Sequence, residues 1–273
     1  MQIICPLCQS ELVQQTTRWV CGNQHSFDVA KQGYVNLLPV QHKKSKSPGD
    51  TTEAVLARRE FLQAGFYEPL RQLLMQEMAA LQPGAVLDLG CGEGYYTRGM
   101  ATVADQVVGL DIAKAAVQIA ARRYPEMTWL VASGARLPIA STTLDVVSSF
   151  FSPLPVEEMA RVLKPEGYVF MVTPAPQHLY EMRAALFEQV NLHEPDKFLD
   201  ILSPSFSLIK AQVLTYPLQL EQAALRQLIA MTPYAWKAKA ERRQQLEQVD
   251  KLMTQASFQL YVLQKSPVIN SYR

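Results

Sequence analysis

The sequence predicts an α/β protein, a mostly parallel, seven-stranded sheet covered on both faces by helices and preceded by a small metal-binding module. Three observations carry that prediction. Strand-like runs near 85–89, 106–110, 127–131, 143–150 and 167–173 alternate with helical runs near 95–104, 113–123 and 156–163. Strands separated by helices imply crossover units and parallel pairing. A glycine-spaced turn follows the first of those strands, and four candidate metal ligands lie within the first 25 residues.

The module comes first, over residues 1–35. Cys5-Pro-Leu-Cys8 is followed after twelve residues by Cys21 and, three further on, by His25. Three thiolates and an imidazole in this order are the ligand set of a closed tetrahedral zinc site. Pro6, Leu7, Gly22 and Asn23 suit the two tight turns such a site needs. With four protein ligands no position stays open for water, so the metal is expected to be structural. So short a segment has almost no core, and metal binding should supply much of its folding free energy. The fourth cysteine, Cys91, lies apart and reads as a small loop residue.

Residues 36–82 form a basic connector and two helices. Lys31, Lys43, Lys44 and Lys46 concentrate positive charge around a polar, turn-rich stretch over 41–50. It is either a solvated loop or a contact for a phosphate backbone. Asp50 or Thr51 can cap a helix through about Ala64. A second helix over 67–81 shows Leu70, Leu73, Leu74 and Met78 at helical spacing. Residues 83–273 are the main domain, entered at Pro83-Gly84. Beyond the alternating part, a strand over 211–218, helices over 220–231 and 236–254 and a strand over 258–264 complete the sheet.

A chain of 273 residues has room for one large domain, or for one domain plus a small appendage. Its 48% hydrophobic and 19% charged residues are ordinary for a soluble globular protein. No apolar run reaches membrane-spanning length, and the start lacks a basic segment followed by an apolar one and a cleavage site; a cytoplasmic location without membrane contact is the expectation. The net charge of +1 announces no nucleic-acid partner, so any such partner must be read from local patches.

The glycine turn carries the chemistry. In Val86-Leu-Asp-Leu-Gly-Cys-Gly-Glu-Gly-Tyr95, Gly90, Gly92 and Gly94 let the backbone approach a ligand closely, and a helix N-terminus follows. Asp111 ends the second strand, where a nucleotide fold places an acid for the ribose hydroxyls. Loop and acid together do not separate NAD from S-adenosylmethionine. Asp88 does more, because an acid so near the glycines would repel a pyrophosphate. The stretch resembles the first motif of class I S-adenosylmethionine-dependent methyltransferases, which have a Rossmann-like sheet. Ala132-Ser133, Leu137-Pro138 with Leu144-Asp145, and Arg161-Val-Leu-Lys-Pro-Glu-Gly167 resemble later landmarks of that superfamily. Ser133 departs from the acid or amide many members carry for the adenine amino group, though a hydroxyl can accept the same bond.

Cys5-Pro-Leu-Cys8, Cys21 with His25, Phe27-Asp28, Gly33-Tyr-Val-Asn-Leu-Leu-Pro39, Pro48-Gly-Asp50, Arg58-Arg59, Gly92-Glu-Gly-Tyr-Tyr96 and Met231-Thr-Pro-Tyr-Ala-Trp236 narrow the resemblance. Together they are similar to the bacterial 23S ribosomal RNA guanine-N1 methyltransferases, over essentially the whole chain. The resemblance implies methylation of N1 of a guanine in a 23S rRNA hairpin loop, with S-adenosylmethionine as donor and zinc in the module. It also implies that Tyr67 and His178 stand beside Gly92 and Glu93 around the cofactor. Residues 85–173 alone also resemble many small-molecule methyltransferases, a second reading that leaves the zinc module and basic connector without a use, and a non-enzymatic RNA-binding protein is the third reading. The intact glycines, Asp88 and Asp111 speak against that third reading. A homodimer would let two zinc modules grip one hairpin.

The loop Ser149-Phe-Phe-Ser-Pro153 follows the fourth strand of the alternating series, where a crevice should open. Phe150 and Phe151 either stack on an extruded guanine or pack within the strand. Guanine N1 must lose its proton, and His178, Glu158 and Asp145 are the nearby candidate bases. Tyr234 and Trp236 beside Lys237, Lys239, Arg242 and Arg243 suit single-stranded RNA, or Trp236 packs in the core. Arg58 and Arg59 either touch RNA or solvate a helix face.

Overall fold

A computed structural model of the chain describes residues 1–39 and 48–267. It begins with a three-stranded antiparallel ribbon, β1 (Leu12–Gln14), β2 (Arg18–Cys21) and β3 (Ser26–Asp28). Strand β4 (Tyr34–Asn36) then leaves the ribbon and joins the main sheet. The expected basic residues Lys43, Lys44 and Lys46 lie outside the described residues.

Helix α1 (Thr52–Gln63) starts where the Thr51 hydroxyl accepts the Ala54 N–H at 3.2 Å, and α2 (Glu68–Ala79) starts with a proline in its first turn. Their apolar stripes, including Phe61, Leu62, Leu70, Leu74 and Met78, are buried in the main core. The alternating part follows as β5 (Ala85–Leu89), α3 (Tyr95–Met100), β6 (Gln106–Asp111), α4 (Lys114–Arg123), β7 (Thr128–Val131), β8 (Leu144–Phe150), α5 (Val156–Val162) and β9 (Leu163–Pro174). Short helices α6 (Tyr180–Leu186) and α7 (Lys197–Leu202) precede β10 (Phe206–Glu221), α8 (Gln222–Met231), α9 (Tyr234–Lys237), α10 (Ala240–Glu247) and β11 (Lys251–Lys265).

The sheet runs β10-β11-β9-β8-β5-β6-β7-β4. Strands β4 to β9 pair in parallel, and β11 inserts antiparallel between β9 and β10. The seven expected strands are all present, and β4 adds an eighth beside β7. The addition has a physical basis, since Tyr34 and Val35 are buried and Tyr34 sits in register with Trp129. The single charged helix expected over 236–254 is instead two short helices, because β11 begins at Lys251 and pairs along β10 as far as Glu221. Cross-strand pairing outweighs helical propensity there.

The ribbon does not stand alone. Ile3 bridges Ile139, the Ile4 N–H donates to the Pro138 carbonyl at 2.9 Å, and the Ala140 N–H donates to Gln2 at 2.9 Å. Cys5, Leu12, Trp19 and Cys21 share one buried cluster with Val35, Leu37, Leu137 and Ile139. A segment too small for its own core has borrowed one.

Candidate metal centre and cofactor crevice

Two knuckles bring the four expected metal ligands together. Gln9 and Gln24 take left-handed backbone angles, φ 64° and 63°, and close turns whose N–H groups donate to the Cys5 and Cys21 carbonyls. Each turn points its cysteine inward. Cys8 and Cys21 sulfurs are 3.6 Å apart, His25 Nδ1 is 3.5 Å from the sulfurs of both Cys5 and Cys21, and all four ligand atoms lie within 4.8 Å of one another. Tetrahedral zinc, with sulfur at about 2.3 Å and nitrogen at about 2.0 Å, spaces its ligands by roughly 3.5 to 3.8 Å. The donor set and spacing fit zinc. The Ser10 hydroxyl, 3.0 Å from the Cys8 sulfur, helps lower that thiol to about 5, toward the thiolate a metal binds.

The glycine loop lies at the C-terminal end of β5, between β6 and β8. The Gly90 and Cys91 N–H groups both donate to Leu110, so the loop is tied to β6. Gly90 has φ +79°, and a Cβ there would lie 2.5 Å from that of Ser152. Ser152 is held by its own bonds to Leu89 (2.8 Å) and Ser149 (2.8 Å), so it cannot yield. Gly92 differs, with φ +56° and nothing within 4 Å of a Cβ position. One glycine closes the loop against β8, and the other leaves an open cradle. Gly94 caps α3 and lies against buried Trp129.

Four acids of the motif region have separate environments. Asp88 is buried; it accepts the Thr97 hydroxyl at 2.6 Å and the Ser148 hydroxyl at 2.8 Å, tying β5 to α3 and β8. Loss of hydration raises its pKa to about 6, against the pull of those two donors. Asp111 accepts Gly92 N–H at 2.9 Å and Ala113 N–H at 2.8 Å, one on each oxygen. It thereby shapes the cradle and keeps lone pairs for a ligand's hydroxyls. Glu93 is 2% exposed and its Oε2 has no hydrogen-bond partner among the described residues. Burial raises its pKa, which Arg123, Arg58 and Arg59 partly counter. Asp50 pairs with Arg58 at 2.6 Å on the neighbouring α1. An orphaned buried carboxylate oxygen beside an open glycine cradle fits a ligand with a cationic ammonium and a ribose, as S-adenosylmethionine has.

Tyr67 and His178 belong to one buried aromatic cluster around Phe258. Tyr67 is buried edge-on to Phe258, ring centres 4.8 Å apart, and Phe258 is equally close to His178. His178 Nδ1 accepts the Ser257 N–H at 3.1 Å, which puts the ring proton on Nε2. Burial, with His193 nearby, pushes its pKa down to about 3. The ring is a neutral, oriented N–H donor and cannot accept a proton at Nε2. The structure also removes the other two candidate bases. Asp145 binds Lys164 (2.7 Å) and the Ala85 N–H (2.8 Å) at the opposite end of β5, and Glu158 is taken by Arg161 and the Leu137 N–H.

The expected aromatic pairs are split. Phe150 is 7% exposed and packs on Tyr96, whereas Phe151 is 46% exposed and held at φ +57°. A non-glycine residue in that conformation is strained, and here it presents a ring at the strand end. Tyr234 is bonded to His193 at 3.0 Å, but Trp236 is 66% exposed, so it does not pack in the core. Arg58 spends a guanidinium nitrogen on Asp50 and the Met231 carbonyl. Ser133 sits at the rim after β7, its hydroxyl accepting the Ala135 N–H at 3.2 Å. Sequence reasoning passed over Thr97, Ser148 and Ser152. Two adjacent serines, Ser148 and Ser149, among apolar neighbours near the end of β8 were the available signal.

With this geometry in view, comparisons with known proteins converge. A family described as "RlmA, N-terminal", a zinc ribbon, matches residues 3–46, and a family described as "Methyltransferase domain" matches residues 86–167. The solved YcgJ protein of Bacillus subtilis superposes with a TM-score of 0.53 at 18% identity, covering 71% of this chain and 98% of that one; it speaks for the fold alone. A Micromonospora griseorubida protein provisionally named a 23S rRNA (guanine-N(1)-)-methyltransferase is 33% identical over 85% of this chain and 86% of its own. The Streptomyces fradiae protein named 23S rRNA (guanine(748)-N(1))-methyltransferase is 34% identical over 85% of each chain. Identity of that extent over 85% of both chains makes this chain a member of the 23S rRNA (guanine-N1)-methyltransferase family.

Proposed function

We propose that this protein transfers the methyl group of S-adenosylmethionine to N1 of a guanine in a hairpin loop of 23S rRNA. The observation that carries the reading is a closed zinc ribbon sharing its core with an open methyltransferase crevice. A small substrate would need no such ribbon. The sulfonium of the donor supplies an activated methyl group, and the chain's part is to bind, align and exclude water. In this reading Gly90, Gly92 and Gly94 cradle the donor, Asp111 takes its ribose and Glu93 its ammonium. Tyr67 and the Nε2–H of His178 line the far side, and Asp88 supports the loop from beneath. Phe151 offers its exposed ring to the extruded guanine, and Trp236 offers a second surface to RNA.

No helix among the described residues is long and apolar enough to cross a membrane. The enzyme works in the cytoplasm, on ribosomal RNA. It acts as a homodimer, to be checked by light scattering, and residues 1–35, 36–82 and 83–273 are its working divisions. The decisive experiment incubates the protein with labelled S-adenosylmethionine and unmodified 23S rRNA and maps the product at nucleotide resolution. One labelled guanine is the expected result. Label that enters a metabolite pool but never rRNA refutes the reading.

A further inference from the structure

A groove of about 360 Å³ opens between the C-terminal end of α1, the start of α2, α3 and the C-terminal end of α4. Arg71, Arg98 and Arg123 line it with Tyr95 and Tyr124, and Glu68 is its acid. Three guanidinium groups thus face one carboxylate, in a chain whose net charge is only +1. That carboxylate is already engaged. Glu68 accepts two N–H groups of Arg71, at 2.8 and 2.9 Å, and the Tyr95 hydroxyl at 2.9 Å.

The other two arginines are held less. Arg98 reaches only Glu126, at 3.8 Å, and Arg123 forms no ion pair among the described residues. Arg71 lies over the Tyr95 ring and Arg123 over the Tyr124 ring, each 5.3 Å from the centre. The groove adjoins the cofactor loop, because Gly94 caps α3 and Arg123 acts on Glu93. Spare cations alternating with aromatic faces match a strand that carries phosphates and planar bases, and match a neutral metabolite poorly.

We propose that this groove holds a single-stranded segment of the RNA substrate next to the target base, with phosphates on Arg98 and Arg123 and a base against Tyr124. The identity of the strand rests on the rRNA methyltransferase reading above. The test is fluorescence anisotropy of the full chain with an unmodified 23S rRNA hairpin fragment, over a series of salt concentrations. For Arg98→Ala/Arg123→Ala the dissociation constant should rise about tenfold, and the log–log salt slope should flatten by roughly 1.4, the share of two phosphates on a single strand. Tyr124→Leu should weaken binding about fivefold with the slope unchanged. S-adenosylhomocysteine affinity should stay within about twofold in Arg98→Ala alone, which separates the groove from the cofactor loop; Arg123 is left in place for this control because it acts on Glu93.

Unchanged RNA affinity and slope in a folded Arg98→Ala/Arg123→Ala protein overturns the proposal, and so points the groove at some other anionic partner. So does an equal loss in Lys164→Ala/Lys251→Ala, which removes the same charge elsewhere. The two readings fail separately. A wild-type protein that binds the hairpin through these arginines yet methylates no rRNA refutes the enzymatic reading and leaves the groove standing.

Discussion

The metal centre and the cofactor crevice are both built from loops that hold polar side chains close together, yet they end in opposite states. In the ribbon, three sulfurs and one ring nitrogen converge within 4.8 Å, with the spacing that one ion requires. In the crevice, Gly92 faces open space and Glu93 keeps a buried oxygen without a partner. A convergent four-ligand set leaves nothing for a substrate and makes a site structural. A buried polar atom left unpaired beside an open glycine cradle leaves a bond for a ligand to make.

The largest effect should come from opening the closed site. Cys21→Ser, or chelation of the metal, should lower the melting temperature by about 10 °C or more, because ligand loss also uncouples Cys5, Leu12 and Trp19 from the main core. Elemental analysis should find zinc in the wild type and not in the variant. Affinity for S-adenosylhomocysteine should survive, and RNA binding should not. Joint loss of both affinities would break the comparison, since the two regions would then be one cooperative unit.

Within the crevice, Asp88 and Glu93 repeat the same contrast on a smaller scale. Asp88 is buried with two hydroxyl donors, and its pKa is nevertheless raised to about 6 by loss of hydration. Its folded form thus holds the proton more tightly than an unfolded aspartate, whose pKa is about 3.9. The resulting stabilisation is present below about pH 4 and is lost as pH rises through 6, to a total on the order of 3 kcal/mol. Asp88→Asn mimics the protonated acid and should remove this slope. Urea unfolding at pH 4 to 7 should show the wild type losing stability relative to the variant. The carboxylates held low by cationic partners, Glu68, Asp145 and Glu158, slope the other way but cancel in the difference. A flat difference curve would mean that Asp88 stays hydrated.

Asp111 belongs to both halves of the comparison, because it shapes the cradle and, in the proposed reading, takes the donor's ribose. Asp111→Ala leaves the Gly92 and Ala113 N–H groups without their acceptor. The expected cost is about 2 kcal/mol, or roughly thirtyfold in S-adenosylhomocysteine affinity by calorimetry. An unchanged dissociation constant would remove Asp111 from the site.

These residues also show what a sequence can and cannot reveal. The four zinc ligands were legible because ligand spacing is local, set by two tight turns. The glycine loop and Asp111 were legible because strand, turn and acid follow one another along the chain. Strand β4 was not, since its reason lies in Trp129, nearly a hundred residues away. Ser148 and Ser152 were missed for the same reason, as their partners Asp88 and Leu89 belong to another strand. Glu158 could have been set aside from the sequence, since Arg161 stands at i+3 on the same helix, whereas Asp145 became a candidate base because its partner Lys164 lies on another strand. Likewise the tautomer of His178 depends on a Ser257 N–H from the last strand.

The finest test is Glu93, whose unpaired oxygen carries the claim that the crevice awaits a ligand. Glu93→Gln keeps the shape and removes the charge. The unliganded protein should melt no lower than the wild type, because the oxygen being altered makes no bond there. Affinity for S-adenosylhomocysteine should fall about tenfold, the loss of one charge-assisted hydrogen bond to its ammonium. The affinity of 5′-methylthioadenosine, which has the same nucleoside but neither ammonium nor carboxylate, should not change. Equal weakening of both ligands would mean that Glu93 acts through the shape of the loop. A lower melting temperature would mean that its oxygen has a partner inside the fold, and the crevice would then be as closed as the ribbon.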